Sequence, residues 1–135
     1  MPGFESTIGL QIVDASATKV VGEIEVAEHH LQPYGMVHGG VFCAMIETLA
    51  SYGAAMWANE QGWFGAVGLS NTTDFLRATR EGTLRAEAGA VHQGRNQQIW
   101  QVVVTRSGDG KVAARGQVRL QNVVTPGDIG SLAPS

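Results

Sequence analysis

The sequence predicts an α+β domain whose antiparallel sheet, of about six strands, curls around one long central helix. Three features carry this reading. Residues 39–58 form an apolar run broken only by Glu47, Thr48 and Ser51, too long for a strand and patterned like a helix. Two strand-like segments precede it, and four segments of strand length follow, each bounded by turn residues.

Taken in order, residues 1–8 carry little pattern, and Leu10, Ile12 and Val13 mark a short first strand. Segment 19–27 sets Val20, Ile24 and Val26 against Val21, Glu23 and Glu25, as in a half-buried strand. Segment 28–37 reads EHHLQPYGMV, in which Pro33 and Gly35 break regular structure; it is a loop delivering the chain to the helix. His38, Gly39 and Gly40 open that helix. Phe42, Met45, Ile46, Leu49, Gly53, Met56 and Trp57 recur along one face at three- and four-residue spacing. The other face carries Cys43, Ala44, Glu47, Ser51, Ala54 and Ala58, mostly small enough for a second surface to come close. Asn59, Gln61 and Gly62 end the helix. The later strands are expected at 64–76, 83–93, 97–107 and 111–123. Hairpin turns at SGDGK (107–111) and QGRN (93–96) make the last three a meander. The tail after about residue 125 is expected to be loose, and 1–135 is read as one domain.

A chain of 135 residues supports a single core and gains by oligomerising. Its net charge of -3, from 9 basic and 12 acidic residues scattered along the chain, argues against a nucleic-acid partner. No basic and apolar leader opens the sequence, and the polar breaks in 39–58 argue against a membrane span. The single cysteine, Cys43, reads as a packed thiol. A cytoplasmic location is the simplest expectation.

Chemistry concentrates at residues 31–57. Between Glu28 and Glu60, Glu47 is the only charged residue. A carboxylate set in an apolar helix loses hydration unless hydrogen bonds compensate, and acids in such places cluster at active sites. Ser51 lies one turn later on the same face. At the helix start the first amides are unpaired, and Gly39 and Gly40 let a ligand approach them, so an oxyanion would be stabilised there. Glu47 lies eight residues beyond Gly39, about 12 Å along a helix axis. One carbonyl carbon can hardly touch both, so groups acting together would come from two subunits, with two equivalent sites per dimer. His29, His30, His38 and Glu47 lack the spacing of a helical zinc motif, so no metal is expected. His38 instead shapes the turn before the helix through a backbone hydrogen bond.

Gln32, His38-Gly39-Gly40, Glu47 and Ser51, in this register, resemble the active-site signature of hotdog-fold acyl-CoA thioesterases of the phenylacetate-pathway and 4-hydroxybenzoyl-CoA type. VGLSNTTDFLRATREG is similar to that family's third strand and following turn. The resemblance implies the hotdog fold and hydrolysis of an aryl- or medium-chain acyl-CoA to free acid and CoA, without a cofactor. Glu47 would act as nucleophile or general base and the Gly39 amide would polarise the thioester carbonyl. Gln32 and His38 would lie near the thioester, and Ser51 would position the hydrolytic water. Gly40 would border the substrate, and Phe75 stands where relatives acting on hydroxylated aryl thioesters often have a histidine. Arg77 and the turn Gly94-Arg95-Asn96 fall where relatives bind the phosphates or pantetheine arm of CoA. The resemblance further implies a homodimer with interface sites, and dimers pairing into tetramers. Trp57, Trp63 and Phe64 suit either an acyl pocket or core packing. A hotdog hydratase or dehydratase and a non-catalytic acyl-CoA-binding module are the competing readings.

Overall fold

A computed structural model describes residues 3–132. A one-turn helix α1 (Phe4–Thr7) leads into β1 (Gln11–Ala15) and β2 (Lys19–Glu25). After the loop comes α2 (Gly39–Glu60), then β3 (Gly65–Phe75), β4 (Thr83–Gln93), β5 (Gln97–Arg106) and β6 (Val112–Val123). The strands form one antiparallel sheet in the order β1-β2-β4-β5-β6-β3, with α2 packed against it. This is the hotdog architecture that the sequence implies, and β4-β5-β6 are the expected meander.

The core is a single apolar cluster between helix and sheet, built on Phe42, Met45, Ile46 and Leu49 of α2 and on Leu84, Trp100, Val102 and Leu120 of the strands. By length and hydropathy α2 would suit a membrane span; here its apolar side chains fill the sheet's inner face. The helix presents a different stripe from the one expected. Ala50, Ala54 and Ala58 are fully buried, whereas Met56 and Trp57 are half-buried. The row 46, 50, 54, 58 drifts around the helix by about 40° per step, which carries the buried stripe with the twist of the sheet. Ala54 and Ala58 therefore leave the open face to which sequence spacing assigns them. Trp57 and Trp63 stack edge-on at 5.7 Å.

Gly53 marks the closest approach of helix and sheet. A Cβ there would lie 2.3 Å from the Trp100 ring, so only glycine admits the indole. Pro126–Leu132 forms 3-10 turns, with the Asp128 carboxylate accepting from the Thr125 amide at 2.9 Å. The remainder of the tail lies outside the described residues.

Candidate active site

The start of α2 is set by His38, whose Nδ1 accepts the Gly40 amide at 2.8 Å, the backbone role expected of it. The Gly39 amide has no partner among the described residues. The ring of Phe75 closes over this glycine, where a Cβ would meet it at 3.0 Å. Gln32, Gly39, Phe42, Phe75 and Arg77 line an open cleft of about 330 Å³. The loop carrying Gln32 is pinned by Val37 N–H to the Thr79 carbonyl, 2.8 Å, and by Arg80 Nη1 to the Tyr34 carbonyl, 3.0 Å. Gln32 itself accepts the Tyr34 amide. Arg77 donates to the Val112 carbonyl at 2.8 Å. His30 is buried between the Ala27 amide and the Ile8 carbonyl.

Two turns further along, Glu47 is half-buried between α2 and β3. Ser51 Oγ donates to its Oε2 at 3.3 Å, as the one-turn spacing anticipates. Asn71 Nδ2 donates to its Oε1 at 3.4 Å. Gly68 gives the carboxylate room: a Cβ there would stand 2.2 Å from Oε2. Glu47 makes no ion pair among the described residues; the donors that reach its carboxylate, Ser51 and Asn71, are neutral. Thr48 and Tyr52, the neighbours of Glu47 and Ser51 in sequence, line a pocket of about 240 Å³ with Glu5, Ser6, Leu10 and Ile12.

Within one chain the structure gathers Gln32, His38, Gly39, Gly40, Phe75 and Arg77 at the helix start, and Glu47 with Ser51 along its side. It does not bring Gly94, Arg95 and Asn96 to either place. Their turn sits near the far end of α2, where Asn122 Nδ2 donates to the Gly94 and Arg95 carbonyls at 2.8 and 3.0 Å. Arg95, Asn96, Asn122 and Trp63 border a separate cleft of about 490 Å³. Trp57 and Trp63 belong to that end too, away from Glu47. Gly68 and Asn71 escaped sequence reasoning; a glycine inside a strand pattern is the one available signal, because it marks a bulge or a close approach.

The fold is that of the hotdog class, and comparison with known proteins adds thioester hydrolysis to it. The family profile described as "Thioesterase superfamily" matches residues 34–113. Rv1847 of Mycobacterium tuberculosis, provisionally named an esterase, is 45% identical over 121 residues, 89% of this chain and 86% of its own. Its solved structure superimposes with a TM-score of 0.87, covering 90% of this chain and 97% of that one at 43% identity. S. sahachiroi AziG gives a TM-score of 0.86 at 36% identity, covering 92% and 98%. A Listeria monocytogenes protein named 1,4-dihydroxy-2-naphthoyl-CoA hydrolase is 35% identical over 103 residues, 76% of this chain and 82% of its own. The chain belongs to the thioesterase superfamily.

Proposed function

We propose that this protein hydrolyses aryl thioesters of coenzyme A to the free acid and CoA, at sites shared between two copies of the chain. The observation that carries the reading is Glu47, a half-buried carboxylate seated against Gly68 and open to further contacts. The unpaired Gly39 amide lies eight residues away on the same helix, about 12 Å along its axis.

Pairing of two chains closes that gap. β3 is an edge strand of 11 residues, hydrogen-bonded to β6 on one side only, with Leu69 and Phe75 exposed. α2 runs antiparallel to it, with Gly39 beside Phe75 and Glu47 beside Gly68. Antiparallel β3–β3 pairing about a two-fold axis near Asn71 sets Phe75 of one copy opposite Val67 of the other. The helix start of one copy then meets the carboxylate of its partner.

At such a site the Gly39 amide would donate to the thioester oxygen as negative charge develops there, an interaction commonly worth a factor of about 100 to 1,000 in rate. Two routes use Glu47. As a general base it takes a proton from water while the water oxygen bonds to the carbonyl carbon. The tetrahedral oxyanion collapses, the C–S bond breaks, and the proton returns to sulfur as CoA leaves. As a nucleophile, one carboxylate oxygen bonds to the carbonyl carbon and CoA thiolate departs, leaving a mixed anhydride that water then hydrolyses. Neither route needs a metal or redox cofactor. Phe75 in place of a histidine favours an apolar contact in the cleft beside Gly39, and the Listeria relative's name makes 1,4-dihydroxy-2-naphthoyl-CoA the first substrate to try.

Free CoA release from a panel of aryl and aliphatic acyl-CoAs tests the reading. Turnover by the wild type, lost in Glu47→Gln, is expected; equal rates for the two proteins, or none with any thioester, would overturn it. In single turnover in 18O-water, label in Glu47 itself indicates the anhydride, opened by water at the Glu47 carboxyl carbon.

A further inference from the structure

We infer that Asn71 and Thr73, on the edge strand, are positioning residues that hold the Glu47 carboxylate in its working orientation. The kinetic consequence rests on the thioesterase reading, while the geometry stands without it.

A glutamate on a helix reaches its carboxylate through several freely turning bonds, and a fixed orientation needs donors from outside that side chain. The helix supplies one, Ser51, to Oε2. The strand supplies the other, Asn71, whose Nδ2 donates to Glu47 Oε1 at 3.4 Å and to the Cys43 carbonyl at 3.2 Å. The two ends of an asparagine amide are chemically opposite. Turned over, Asn71 would press its oxygen against two acceptors. Thr73 helps to prevent this, since its hydroxyl donates to Asn71 Oδ1 at 2.6 Å and occupies the end that must face away from Glu47. The relay runs from Thr73 through Asn71 to Glu47.

A bulge makes the relay possible. Side chains alternate along a strand, so residues 68 and 71 would ordinarily face opposite sides. In β3 the pairing with β6 jumps from Gly68–Leu120 to Ser70–Arg119, leaving Leu69 without a partner. That extra residue resets the alternation. Gly68 and Asn71 thereby both meet Glu47, the glycine as the bare floor under Oε2 and the asparagine as the donor to Oε1. Asn71 touches the carboxylate's far oxygen, so its loss should act on the chemical step rather than on substrate binding.

The simpler role for Asn71, a brace between α2 and β3, predicts that stability, KM and kcat change together. Steady-state kinetics and thermal unfolding of the full chain distinguish the two. Asn71→Ala is expected to lower kcat by about 10- to 100-fold with KM within about twofold, the scale of one hydrogen bond to a charged group. Asn71→Asp should fall further, because it sets a second carboxylate against Glu47 and the Cys43 carbonyl. Thr73→Val is expected to cost about 3- to 10-fold, and Thr73→Ser, which keeps the hydroxyl, to recover the rate. The inference is overturned if Asn71→Ala keeps kcat within about twofold of wild type, or if rate loss tracks the unfolding midpoint across the variants. Should the wild type release no CoA from any thioester, the hydrolase reading fails and crystal structures decide the positioning. The carboxylate is expected on Gly68 in the wild type and turned away in Asn71→Ala; an unmoved carboxylate in the variant overturns the inference.

Discussion

Two polar clusters tie α2 to the sheet, built from similar side chains but satisfied to different degrees. Near the helix C-terminus, Gln98 is fully buried and donates to the Ala54 carbonyl at 3.0 Å and to Asn122 Oδ1 at 2.8 Å. Its oxygen accepts from Trp100 Nε1 at 2.9 Å, and Asn122 gives both amide protons to the β4–β5 turn. Each amide proton has a partner, as burial demands. Toward the helix N-terminus, Glu47 is half-buried and held by two longer contacts, 3.3 and 3.4 Å, one to each oxygen. An ionised carboxylate can accept about four hydrogen bonds, so this group keeps capacity for a water or a substrate. The Gln98 and Asn122 amides have no proton left to offer a ligand. On one helix the two clusters differ in saturation, and the unsaturated one, where the proposed chemistry sits, faces the exposed edge strand β3.

The comparison breaks at its widest point if the unsaturated cluster does no chemistry. Glu47→Gln keeps the shape and a hydrogen-bonding head group but removes both the base and the nucleophile. Hydrolysis of a responsive aryl-CoA should fall by about 100- to 10,000-fold, while urea unfolding keeps the wild-type midpoint. A variant with near-normal turnover would move the chemistry elsewhere in the molecule.

Gly68→Ala probes the same cluster from its floor. The added methyl would stand 2.2 Å from Glu47 Oε2, so the carboxylate must leave its place. A displacement near 1 Å can cost about 100-fold in rate, and that loss of kcat is the expected outcome in CoA-release assays. Unchanged kcat would mean that the carboxylate works from another rotamer and that the seat on β3 has no catalytic meaning.

The parts of this organisation that follow local rules were legible in the sequence. The strands at 83–93, 97–107 and 111–123 lie between hairpin turns, and the helix is announced by glycines at its start and by a long apolar run. Glu47 and Ser51 could be paired because one helical turn separates them, and Gly39 could be set apart from Glu47 by helical rise alone. What depends on register was not legible. A two-residue alternation puts Gly68 and Asn71 on opposite faces, and only the unpaired Leu69 brings them together. The distance of Arg95 and Asn96 from Arg77 likewise follows from strand pairing across the whole sheet. The drift of the buried stripe from Met56 toward Ala54 and Ala58 depends on sheet twist, which helical periodicity does not contain.

The smallest effect sharpens the contrast from the sealed side. Gln98→Leu keeps much of the volume but strips the Trp100 indole N–H and Asn122 Oδ1 of their partner and leaves the Ala54 carbonyl without its side-chain donor. Leaving buried polar groups unsatisfied costs about 1–3 kcal/mol, and the lower part of that range is expected here because leucine returns apolar contacts to the same space. The cost should appear in denaturant unfolding as a lower midpoint with an unchanged slope. Gln98 touches α2 at Ala54, two turns beyond Glu47, and no hydrogen bond links the two clusters among the described residues. The kcat of the folded variant should therefore stay within about twofold of wild type, since well-separated sites act independently. A large fall in kcat at intact stability would show that α2 transmits strain between its halves, and the division into a structural and a functional cluster would fail.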